Sequence, residues 1–70
     1  MEFKQAANFI IPWGDYVGKT IDNIASTDHG LKDLDCLLSW MEEKKHKSLF
    51  RVALERYFAD VAIKKELETL

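Results

Sequence analysis

The sequence predicts an α+β fold, in which an N-terminal β-hairpin packs on a two-helix hairpin that ends in a long C-terminal helix. Three observations predict it. Strand and turn residues crowd the stretch 7–25, apolar residues recur at helical spacing from Leu31 to Met41, and the stretch from Leu49 to Leu70 holds neither Gly nor Pro. The 70 residues, 47% of them hydrophobic, suffice for one globular domain and are too few for two. A chain of this size buries only about 60% of the surface its unfolded form exposes, so the core is thin and cover from another chain would add stability.

The hairpin, residues 7–25, pairs Phe9-Ile10-Ile11 with Lys19-Thr20-Ile21 across a turn at Asp15-Tyr16-Val17-Gly18. Pro12 has no N–H for a ladder and belongs at a strand end, and Gly18 supplies the positive φ of a short loop. Because isolated hairpins are marginal in water, this one lies on the helices that follow, with Ile11, Trp13 and Ile21 near the core. Ser26, Thr27 and Asp28 are cap candidates for a helix over 31–45, with Leu31, Leu34, Leu37, Leu38 and Met41 at helical spacing. Asp33 and Asp35 near its start and Lys44, Lys45 and Lys47 at its end complement the helix dipole. Trp40 follows the leucine run and reads as a ring in or near the core. The tract Glu42 to Lys47 has no apolar residue, so the helix stops there, and Ser48 caps a second helix over 49–70. On that helix Phe50, Leu54, Tyr57, Phe58 and Val61 share a face, which Lys65 and Glu68 then take over. Leu49, Val52, Ile63, Leu67 and Leu70 project to the other side. Ile63, Leu67 and Leu70 follow the i, i+4, i+7 spacing of a helix-groove anchor, for a partner protein or for a second copy in a homodimer.

Charge and motif spacing exclude several functions. Ten Lys and Arg against twelve Asp and Glu give a net charge of −2, so the surface as a whole does not attract phosphate backbones. Cys36 has no partner for an internal disulfide and sits among leucines, which reads as a buried thiol in a reducing compartment, the cytoplasm. No apolar run approaches the roughly 18 residues of a membrane span, and Met1-Glu2-Phe3-Lys4 does not open a signal peptide. Gly14-Asp15-Tyr16-Val17-Gly18-Lys19-Thr20 places three residues between its glycines where a phosphate-binding P-loop needs four. His29, Cys36 and His46 lack the paired spacing of a zinc site, and capping and dipole complementation account for Asp28, Asp33 and Asp35. The expectation is a chain with no catalytic residues, no cofactor and no metal. One basic group remains: Lys44, Lys45, Lys47 and Arg51 at the helix junction, where base stacking on Trp13, Tyr16 or Trp40 would complete a single-strand site.

The run from Ile11 to Ile21, followed by Ile24, Asp28 and Leu37-Leu38-Ser39-Trp40, resembles a small bacterial and phage domain. It is similar to the DUF3820 family, described as a quorum-sensing-regulated virulence factor, and to the C-terminal domain of exonuclease X-like proteins. That pattern reads Phe-Gly-Lys-Tyr-Lys-Gly-Lys-Thr-Leu, then Ile, a turn, and Tyr-Leu-x-Trp. Gly14, Tyr16, Gly18, Lys19, Thr20, Ile21, Ile24, Leu38 and Trp40 fall on matching positions, within about residues 9–42. The resemblance implies an accessory module, sometimes attached to DNA-processing nucleases, without catalytic residues of its own. Two basic turn residues of the pattern are Asp15 and Val17 here, which removes two positive charges from a phosphate-gripping tip.

The functional expectation is therefore a non-enzymatic, phage- or mobile-element-encoded module that docks on a host protein, such as a DNA-processing or defence complex, and modulates it. Asp15, Tyr16 and Val17, or Ile63, Leu67 and Leu70, supply the contact. The alternative is a nucleic-acid accessory domain acting through Lys44, Lys45, Lys47 and Arg51.

Overall fold

The computed structural model describes residues 1–70 and is all-helical: α1 (Phe3–Ala7), α2 (Ile21–Ala25), α3 (Asp28–Glu43), α4 (Leu49–Phe58) and α5 (Val61–Glu68). The expected α+β fold is corrected, because no sheet forms and strand pairing stops at one antiparallel bridge, Ile10 with Thr20. Around that bridge Ile11 N–H donates to Lys19 O at 2.8 Å, Gly18 N–H to Ile11 O at 2.9 Å and Ile21 N–H to Phe9 O at 3.2 Å. Helix and proline leave the pairing no room to grow. Asn8 already caps α1, Pro12 cannot donate, and Thr20 Oγ1 accepts the N–H of Asn23 at 3.1 Å, which turns the chain into α2 straight after the bridge. Residues 12–17 form a loop that Gly18 closes, with positive φ at Gly14 (93°) within it and at Gly18 (86°) at its end.

The long helix expected over 49–70 is two helices. Asp60 breaks it without Gly or Pro: its carboxylate accepts the N–H groups of Ala62 and Ile63 at 3.1 and 3.4 Å, capping α5. The restart turns Ile63 inward to 8% exposure and leaves Val61 at 67%, the reverse of the expected faces. Leu67 is half-buried against the core, and only Leu70 of the three proposed anchors is exposed. The apolar face proposed for a partner or a homodimer thus belongs largely to the fold.

α3 is the spine. Thr27 caps it by accepting Gly30 N–H at 3.0 Å, so it begins at Asp28, three residues earlier than expected. Gly30 is buried where α2 ends, and a Cβ there would lie 1.9 Å from Ile24 O; only a residue without a side chain lets α2 and α3 approach this closely. At the other end Lys45 has φ 56°, with Lys45 N–H donating to Glu42 O at 3.2 Å and His46 N–H to Met41 O at 2.8 Å. This is a Schellman motif with lysine in the position glycine usually fills. Ile11, Ile21, Leu31, Leu34, Met41, Phe50, Leu54 and Tyr57 form the centre of the core, and no polar or charged residue is buried. Trp13 and Trp40, expected near the core, are 39% and 46% exposed, and Cys36, expected buried, is exposed.

Candidate functional site

The 12–17 loop leans over one flank of α3 and borders an open cleft of about 490 Å³. Ile11, Trp13, Gly14, Asp15 and Tyr16 form the loop side. Asp33, Cys36 and Leu37, spaced i, i+3, i+4 and therefore on one strip of α3, form the opposite wall, and Phe50 comes from the first turn of α4. The loop is tied down by Tyr16, whose hydroxyl donates to Asp33 Oδ2. That bond, partial desolvation and the nearby charges of Asp33 and Asp15 raise the Tyr16 hydroxyl above the ordinary tyrosine range, so it remains a protonated donor. His29 Nε2 also lies 3.1 Å from Asp33 Oδ2, one helical turn before it.

Trp13 is the hub of an aromatic cluster at the rim. Its ring meets those of Phe50, His46 and Trp40 edge-on, with centroids 5.6, 5.9 and 6.5 Å away. Phe9 stacks on Phe50 at 6.0 Å. Such contacts add to the apolar burial of each ring and fix the Trp13 edge of the cleft. Phe50 is buried while Trp13 and Trp40 stay partly wet, so the cluster grades from core to surface.

Asp15 and Tyr16, two of the residues singled out from sequence, line the cleft, and Val17 stands exposed beside them at the loop tip. α5 contributes nothing to it. Lys44, Lys45 and Lys47 are exposed on the junction that follows Trp40. Arg51 does not join them freely: its Nη1 donates to His46 O at 3.1 Å and its Nε lies 3.4 Å from Glu55 Oε1. Asp33, Cys36, Leu37 and Phe50 escaped the sequence reading as site residues. Asp33, Cys36 and Leu37 lie on one strip of α3 at the edge of the leucine stripe, and Phe50 on α4 reads as a core residue; only a loop folding back makes them one wall. No three of the His, Cys, Asp and Glu side chains converge on a point that would hold a metal ion, and no helix is long and apolar enough to cross a membrane.

Compared with protein-family models, curated proteins and solved structures, the chain matches none.

Proposed function

We propose that this chain is a small non-enzymatic module that docks on a partner protein in the cytoplasm and modulates it, using the 12–17 loop and the cleft beneath. The observation that carries this reading is the cleft itself: an open, partly apolar hollow beside the loop that bears Asp15, Tyr16 and Val17. Concave, mostly apolar sites with a few placed polar groups are where proteins take up side chains and ligands, and tryptophan and tyrosine are enriched among the residues that dominate such contacts. The test is a purified partner, identified by capture from nuclease-treated lysate and then reconstituted. Tyr16→Ala and Val17→Asp, each shown by circular dichroism to keep the helical fold, should weaken its binding at least tenfold. Unchanged affinity for both variants would refute the reading.

A second reading has its own support, the exposed Trp40 ring beside Lys44, Lys45 and Lys47. Aromatic rings flanked by lysines are the elements of a single-strand nucleic-acid site. It predicts affinity that falls with salt, with a slope that flattens by about 0.7 for each phosphate-contacting lysine replaced by alanine.

A further inference from the structure

We propose that the anchor this cleft receives is an arginine side chain of the partner protein, an inference that rests on the docking reading above. Charge points to a cation: the lining holds two carboxylates, Asp15 and Asp33, and no Lys, Arg or His. Asp15 is exposed and engaged in no hydrogen bond or ion pair. Asp33 Oδ2 accepts from Tyr16 and lies near His29 Nε2, whereas its Oδ1 has no partner and keeps its lone pairs for an incoming donor. The walls suit a flat cation. Trp13 and Tyr16 provide π-systems on the same side as Asp15, and a guanidinium both stacks on aromatic faces and donates in parallel to carboxylate oxygens, which an ammonium cannot do as well. A phosphate would meet two like charges here, so nucleic acid, if it binds, belongs at the Trp40 lysines and not in the cleft.

The exposed Cys36, the one cysteine of the chain, lines the cleft and reports its occupancy through its alkylation rate. Acetyl-arginine-amide at millimolar concentration should slow alkylation by a neutral maleimide and change tryptophan fluorescence along the same saturable curve. Acetyl-citrulline-amide, of the same shape without the charge, should bind at least fivefold more weakly, and Asp15→Asn should weaken the arginine probe about two- to fivefold, the range of an exposed ion pair. Equal effects of arginine and citrulline, or no protection of Cys36, would overturn the proposal. So would stronger protection by oligo-dT, which would give the cleft to nucleic acid. Selection of random peptides on the full chain separates this proposal from the docking reading. Peptides that share an arginine and are lost with Tyr16→Ala support both. Peptides lost with Tyr16→Ala that share no arginine overturn the anchor alone, and peptides indifferent to Tyr16→Ala and Asp15→Asn overturn both.

Discussion

Two tyrosines hold the two sides of this molecule, and they do so in different surroundings. Tyr57, 2% exposed, stacks on half-buried Phe3 with centroids 5.2 Å apart and donates to Asp22 Oδ1 at 3.2 Å, joining α1, α2 and α4 around a buried ring. Tyr16 makes the matching bond to Asp33, but its ring is half-buried beside a cleft and a rim of wet tryptophan. A chain of this size has little apolar surface to spare, so the Tyr57 ring is covered while the rings of Trp13 and Trp40 stay partly in water. The difference teaches where each side places its groups: the Tyr57 side sustains the fold, and the Tyr16 side leaves apolar and charged groups exposed, where the proposed docking would take place.

The strongest way to break that division is at the α2–α3 junction. Gly30→Ala puts a Cβ against the Ile24 carbonyl, and thermal melting should show a loss of about 3 kcal/mol or outright unfolding. Tyr57→Phe should cost about 1 kcal/mol in a urea titration, since it removes one hydrogen bond and leaves the packing. Its pH dependence sharpens the assignment. Burial, then the charge and hydrogen bond of Asp22, raise the Tyr57 hydroxyl well above its unfolded value of about 10. The folded form therefore holds its proton more tightly, so the stabilisation is complete below pH 10 and is lost as pH rises beyond it. Urea midpoints from pH 7 to 11 should fall more for the native chain than for Tyr57→Phe. Lys45→Gly should raise stability by about 0.5–1 kcal/mol, because glycine occupies positive φ without the Cβ penalty that lysine bears. Tyr16→Phe should have the smallest effect on melting, below that of Tyr57→Phe, while freeing the loop and weakening partner binding. A larger loss of stability from Tyr16→Phe than from Tyr57→Phe would dissolve the comparison.

Much of α3 and α4 was legible, because the leucine spacing and the Thr27 and Ser48 caps are local signals that the structure keeps. The hairpin was misread at Thr20. A β-branched residue after Lys19 suggests a strand, yet Thr20 followed by Ile21, Asp22 and Asn23 is equally an N-cap with an acidic first turn, and the cap prevailed because α2 buries Ile21, Ile24 and Ala25 on α3. α1 went unassigned although Glu2 and Gln5 carry a capping signal, with Glu2 N–H donating to Gln5 Oε1 at 2.8 Å. Asp60 was passed over for the same reason as Thr20: a capping side chain has no effect on periodicity until the chain commits to stopping there. Of the cleft, the loop side was legible as a turn, whereas the α3 wall was not, since nothing local says which strip of a helix a loop will cover.

By itself the sequence determined the helical spine, its caps, the glycine loop between Ile11 and Lys19 and the placement of acid beside aromatic residues in that loop. These follow from spacing and backbone freedom, which act over a few residues. Tertiary structure decided which local signals prevailed, so that the caps of Thr20 and Asp60 won over a longer strand and a longer helix, and it alone decided that Trp13, Trp40 and Cys36 would face outward. The physical reason is competition for a small core: Ile21, Phe50, Leu54 and Tyr57 fill it, and the large rings of Trp13 and Trp40 are left at its edge.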